Sequence, residues 1–249
     1  MNLNNVIIER PTKIIYRDGD YVIKQFDEHY LESDVLNEAL NHMLVYEAGF
    51  KVPCIHQVTK IDGKWAIVMD HIEGKTLAQI MEEQPENLDA LFDRFVDIQL
   101  EMHKCAAPKL RHIADKMHAK ISKCGLEATA RYELHVRLNG LPRHNKLCHG
   151  DFTPGNIVIT PDDEVYVIDW AHATQGNASA DAARTYLRFM LAGNDDQGEQ
   201  YLTLFCKKSD TAMQYVQKWM AIVAASQLSK GKPEEKEMLT SWANVVEYE

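Results

Sequence analysis

The apolar pattern changes period at Gly74, and that change limits what the chain can fold into. Before it, short runs rich in β-branched and aromatic residues are separated by turn residues. KIIYRDGDYVIKQF holds two such runs around Asp18-Gly19, a hairpin signal, so residues 5–26 are expected as strands. Asp34–Gly49 has helical spacing, with Leu36, Leu40, Met43 and Leu44 predicted as its packing face and Gly49 as its end. Residues 53–72 return to strand, with a turn at Asp62-Gly63.

Beyond Gly74 the spacing turns helical. Leu88, Leu91, Phe92, Phe95, Ile98 and Met102 predict an amphipathic helix over 88–104, and two more helices are expected within 111–138. Residues 147–170 interrupt the series with two short strands, NIVIT and VYVIDW, around Pro161-Asp162-Asp163. Residues 179–246 read as helical again, with a break near Gly193. The expected class is α+β: a small β-rich lobe, 1–72, and a larger helical lobe, 73–249. The cleft between two such lobes is the default ligand site.

Composition narrows the function. The chain has 249 residues and a formal net charge of −10. It lacks the basic patch of a nucleic-acid binder, and an acidic surface tolerates a cationic substrate. No apolar run approaches the roughly 18 residues of a membrane span, and the N-terminus has no signal-peptide core, so a cytoplasmic protein without a membrane partner is expected. The five cysteines form no CxxC pair and read as structural thiols. Asp89, Asp93, Asp97 and Glu101 recur every four residues opposite the apolar face of their helix and read as a solvated acidic stripe. The sequence carries no signal for oligomeric state.

The chemistry concentrates in His149-Gly150-Asp151-Phe152-Thr153-Pro154-Gly155-Asn156, followed by Val167-Ile168-Asp169-Trp170. Phosphoryl transfer asks a protein to hold Mg²⁺, neutralise developing charge and orient a hydroxyl. Mg²⁺ takes a few hard oxygen ligands. Asn156 and Asp169 supply such ligands, and Asp151 can receive the hydroxyl proton. Gly150, Pro154 and Gly155 suit a rigid loop that aims these side chains.

HGDFTPGN with a downstream IDW resembles the aminoglycoside phosphotransferase family, relatives of the protein kinases. The resemblance implies a bilobal protein-kinase-like fold and transfer of the γ-phosphate of ATP or GTP, with Mg²⁺, to a hydroxyl of a small molecule. Family acceptors include aminoglycosides, choline-like alcohols, sugars and amino-alcohols. It further implies that Lys24 binds phosphate, that Glu38 pairs with Lys24, and that Val68–Gly74 is a hinge. There the backbone near Met69, Asp70 and Ile72 reads the base. Asp181 would brace the catalytic loop, where His149 is a structural hydrogen-bonding residue.

The match departs from the family in its phosphate-covering loop. Glu9–Lys13 has no glycine, so Thr12, with Arg10 or Lys13, is expected to add contacts. Trp170 replaces the Phe of a kinase DFG and no APE-like segment follows, which disfavours a protein serine/threonine kinase. A non-catalytic nucleotide-binding module is the other rival, disfavoured by the intact Asp/Asn/Asp set. A Rossmann oxidoreductase fails because no GxGxxG follows the first strand.

Overall fold

A computed structural model describes residues 1–244. In chain order the elements are β1 (Val6–Arg10), β2 (Lys13–Asp18), β3 (Tyr21–Phe26), α1 (Glu32–Glu47), β4 (Ile55–Ile61), β5 (Lys64–Asp70), β6 (Lys75–Thr76), α2 (Leu77–Glu83) and α3 (Leu88–Met102). There follow α4 (Ile113–Ile121), α5 (Ala128–Asn139), β7 (Lys146–Cys148), β8 (Ile157–Ile159), β9 (Val165–Val167) and β10 (Thr174–Gly176). Helices α6 (Ala178–Leu191), α7 (Asp195–Ser209), α8 (Met213–Leu228) and α9 (Lys236–Ala243) close the described chain. The part of the expected helical run at 245 and 246 lies outside the described residues. Contacts group the chain into two compact units. Met1–Glu86 joins Pro154–Ala173, and Asn87–Thr153 joins the described residues from Thr174 onward.

The first unit is built on a five-stranded antiparallel sheet of order β1-β2-β3-β5-β4. Two of its hairpins form where the turn residues allow positive φ. Gly19 sits at +60° between β2 and β3, and Asp62 and Gly63 sit at +51° and +78° between β4 and β5. Period-two alternation then sorts the side chains. Tyr16, Ile23, Ala66 and Val68 pack together as one buried cluster. Phe26 and Ile67 pack with Val35 and Ala39 of α1 as another. Lys24 pairs with Ile67 across β3 and β5, on the face that α1 covers. A second, three-stranded sheet of order β6-β8-β9 carries the hairpin that follows the 149–156 motif.

The packing face of α1 differs from the expected one. Leu36 and Leu40 are 49% and 56% exposed, whereas Val35, Glu38, Ala39, Asn41, His42 and Val45 are buried. The apolar residues misled because the buried face holds three polar side chains with partners of their own: Glu38 to Lys24, Asn41 to the Ala171 carbonyl at 3.3 Å, and His42 to the Pro53 carbonyl at 2.6 Å.

The second unit is helical, with the short β7–β10 pair. Its core is aromatic: Phe92, Phe95, Phe152, Tyr201 and Phe205 are fully buried, and the rings of Phe95 and Phe152 stack at 4.8 Å. The expected break at Gly193 occurs at φ +72°, and further breaks fall at Asp210 and Gly231, also at positive φ. The acidic stripe on α3 is not purely solvated, because Lys208 of α7 lies 2.7 Å from both Asp93 and Asp97. No helix among the described residues is long and apolar enough to cross a membrane.

Candidate active site

In the first unit the site is organised around one buried cation. Lys24, 4% exposed on β3, has its ammonium 2.8 Å from Asp169 Oδ1 and donates also to Glu38 of α1. Burial opposes its charge, but the Asp169 and Glu38 carboxylates outweigh burial and hold it protonated above the usual lysine range. Lys13, first residue of β2, reaches the other oxygen of Asp169 at 3.3 Å. Burial and the neighbouring Lys24 charge push Lys13 below its ordinary value, against the pull of Asp169. Glu38 keeps its second oxygen, Oε2, buried without a hydrogen-bond partner.

Asp169 is aimed by the backbone and by Trp170. It occupies the left-handed region, φ +67° and ψ +60°, where Asp is tolerated better than most residues. A non-glycine residue held there marks a place where the surroundings dictate the backbone. Trp170 is fully buried, donates its indole N–H to the Val167 carbonyl at 2.9 Å and meets Phe50 edge-on at 5.7 Å. The indole thus anchors the turn that presents Asp169.

Asn156 stands at the same end of the hairpin as Asp169. It immediately precedes β8, Ile157 pairs with Val167, and the Ile168 N–H donates to the Asn156 carbonyl at 2.9 Å. One amide and one carboxylate oxygen donor therefore flank a single strand pair, the donor type a hard cation such as Mg²⁺ requires.

The expected hinge follows β5. Met69 packs against the α1-facing cluster. The Asp70 amide donates to the Cys54 carbonyl at 3.0 Å, and its carboxylate accepts from the Cys54 N–H at 2.9 Å and meets His56 at 2.6 Å. Burial raises the Asp70 pKa, but these hydrogen bonds win and hold it below the usual range. Ile72 follows this tethered residue. Thr12 lies in the β1–β2 turn, its carbonyl accepting from the Asp27 N–H at 2.9 Å, while the neighbouring Lys13 is the side chain that joins the Lys24 cluster.

In the second unit one face of α6 holds the expected catalytic loop, residues 149–152. Asp181 is fully buried and accepts from Gly150 N–H at 2.7 Å and His149 N–H at 3.2 Å, with His103 at 3.1 Å. Burial works against its charge, and the His103 hydrogen bond and those amides nevertheless keep it below the usual carboxylate range. Gly150, at φ +78°, turns its N–H toward that carboxylate. His149 is buried, and its Nδ1 accepts from the Asp151 N–H at 3.2 Å. One turn along α6, Arg184 donates to the Gly150 carbonyl at 3.3 Å and Thr185 to the Phe152 carbonyl at 3.1 Å. A turn further, Arg188 Nε lies 3.0 Å from Asp151 Oδ1.

Residues 181, 184, 185 and 188 fall at i, i+3, i+4 and i+7, the spacing of one helix face. Sequence reasoning singled out Asp181 alone. The polar stripe in ASADAARTYLR was the available signal for Arg184, Thr185 and Arg188.

Comparison with known proteins bears on the family and the fold. Residues 12–219 match the model of the phosphotransferase enzyme family, and the chain belongs to that family. No curated protein sequence matches. Among solved structures, the chain is similar to a thermostable mutant of aminoglycoside phosphotransferase APH(4)-Ia, with 15% identity, coverage of 96% of this chain and 92% of the other, and a TM-score of 0.68. It is also similar to the choline kinase LicA from Streptococcus pneumoniae, with 16% identity, coverage of 97% and 93%, and a TM-score of 0.61. A choline/ethanolamine kinase family protein from Mesorhizobium loti shows 17% identity, coverage of 97% and 88%, and a TM-score of 0.60. These likenesses establish the fold as that of the aminoglycoside phosphotransferases.

Proposed function

We propose that the chain is a small-molecule kinase that moves the γ-phosphoryl group of ATP, or of GTP, to a hydroxyl of its acceptor. The observation that carries this reading is the buried Lys24 ammonium held by Glu38 and Asp169. A lysine placed so is costly to bury and is suited to meet phosphate oxygens. Related solved structures hold AMP-PNP, ADP or AMP, which favours an adenine nucleotide as donor. The backbone of Asp70–Ile72 would take the base, and Lys24 would contact the phosphates, with Glu38 fixing its position. The β1–β2 turn at Thr12, with Lys13, would cover the phosphates.

Asn156 and Asp169 would hold Mg²⁺, which when bound neutralises charge on the phosphate oxygens. The acceptor oxygen forms a bond to the γ-phosphorus. The bond from that phosphorus to its bridging oxygen breaks, with the electron pair leaving on the nucleoside diphosphate. The hydroxyl proton passes to Asp151. Asp181 and His149 keep the loop carrying Asp151 in place. The reading is tested by a nucleotide-consumption screen, with and without EDTA, over hydroxylated metabolites. Metal-dependent consumption stimulated by a hydroxylated acceptor is expected. Nucleotide binding with no acceptor-dependent turnover would instead fit a non-catalytic module.

A further inference from the structure

The surroundings of Asp151 are unusually cationic for a chain of net charge −10. Lys116 and Lys120 stand one turn apart on α4, Arg184 and Arg188 one turn apart on α6, and Lys230 follows the end of α8, the helix against which α4 and α6 both pack. Arg188 touches Asp151 directly at 3.0 Å, and Arg184 donates to the carbonyl of the preceding Gly150. Three carboxylates lie near Arg184: Asp151, Asp181 and Glu235. Two of them are engaged elsewhere. Asp181 binds the loop amides and His103, and Glu235 accepts from Lys232 at 2.9 Å and Gln227 at 2.5 Å. Among the described residues, these five cations therefore outnumber the three carboxylates that act on Arg184.

The lysines register this imbalance. Burial, then the charges of Lys120, Arg184, Arg111 and Lys230, push Lys116 down to about 7. Burial and Arg184 push Lys120 to about 8, and burial with Arg184 and Lys120 does the same to Lys230, against the pull of Asp151. Like charges crowded in a partly desolvated place cost free energy. A ligand that brings negative charge relieves that cost, and a perturbed cluster beside a catalytic group is a candidate for substrate recognition.

Resting on the kinase reading above, we propose that the acceptor is a small anionic alcohol, its phosphate or carboxylate group held by Lys120, Lys230 and Arg188 beside Asp151. The cluster repels a quaternary ammonium such as choline or a polycationic aminoglycoside. The acceptor class thus differs from the one implied by the names of the structural relatives, although the acidic overall charge alone suggested tolerance of cations.

The test is calorimetric titration of the whole protein with inorganic phosphate, glycerol phosphate, glycerate, glycerol and choline. Each titration is run with the nucleotide site filled by a magnesium complex of a non-hydrolysable ATP analogue, and repeated without it. Saturable binding of phosphate, glycerol phosphate and glycerate is expected, with none for glycerol or choline. Lys120→Gln and Lys230→Gln should each weaken anion binding about tenfold, the scale of one charged hydrogen bond, while the melting temperature is retained or raised. Binding of phosphate but not glycerate restricts the class to phosphorylated alcohols. Anion affinity equal in wild type and both variants, or choline bound more tightly than glycerol phosphate, overturns the proposal. Failure of the kinase reading shows separately, as absence of analogue binding or as analogue binding without metal-dependent, acceptor-stimulated nucleotide consumption.

Discussion

Lys24 Nζ lies 2.8 Å from Asp169 Oδ1 and is shared with Glu38, so one ammonium joins a strand, a helix and the turn after β9 within the first unit. Removing one partner of a buried pair leaves an uncompensated charge and costs about 3–5 kcal/mol. Lys24→Met should lower unfolding stability on that scale, as measured by denaturant titration, because Glu38 is left buried. Lys24→Met with Glu38→Leu should recover part of the loss, since residues in contact are not additive. Lys24→Ala should weaken triphosphate binding in nucleotide titrations and nearly abolish turnover. Glu38→Ala should do so less severely, and the double mutant should be little worse than Lys24→Ala. Small, strictly additive losses would separate the two residues.

The fold was largely readable because its turns and periods are local. Positive-φ turns at Gly19 and Asp62-Gly63 sit where the residues invite them, and α3 buries Phe92, Phe95, Ile98 and Met102 as their spacing requires. The face of α1 was not readable from apolar residues, because Leu36 and Leu40 are exposed while Glu38, Asn41 and His42 turn inward to partners distant in sequence. Lys13 could be placed in the phosphate turn but not at Asp169, a contact 156 residues away. Arg188 meets Asp151 by the same kind of long-range packing.

Trp170 should act as a positioning residue for Asp169. Trp170→Phe removes the indole hydrogen bond to the Val167 carbonyl and should cost about 1 kcal/mol from that bond, with nucleotide affinity reduced. Trp170→Ala, emptying a fully buried site, should cost about 3–5 kcal/mol. Thermal unfolding together with nucleotide titration reads both effects. An unchanged affinity in Trp170→Phe would detach the indole from the presentation of Asp169.

Acid should weaken the hold of Asp181 on the 149–151 loop. Its folded pKa lies below the ordinary aspartate value of 3.8, so the native state binds fewer protons than the unfolded chain. The stability this contributes is present above that value and is lost as pH falls through the folded pKa. Asp181→Asn should be less stable at neutral pH and lose less on acidification below about pH 4. Melting temperatures of the two proteins from pH 7 to pH 3 check this, and parallel curves would contradict it.

The lysine cluster has the same sign as Asp181, in an alkaline window. Lys116, Lys120 and Lys230 have folded values of about 7, 8 and 8 against an unfolded 10.5. Between pH 7 and about 8.5 the native state releases protons that the unfolded chain keeps, so their contribution makes the protein more stable as pH rises. Facing them are Arg111, Arg184, Arg188 and Asp151. Denaturant midpoints should rise across this window more in wild type than in Lys120→Gln with Lys230→Gln, and equal slopes would contradict the assignment.

The most direct test of the account is the turnover of Asp151→Asn. Arg188 and the Asp181-braced loop hold this carboxylate in the second unit, and general-base catalysis contributes about 10²–10⁴-fold. With a saturating acceptor and magnesium nucleotide, kcat should fall by about a hundredfold or more while nucleotide affinity and melting temperature are retained. Turnover equal to wild type in a folded Asp151→Asn protein would contradict it.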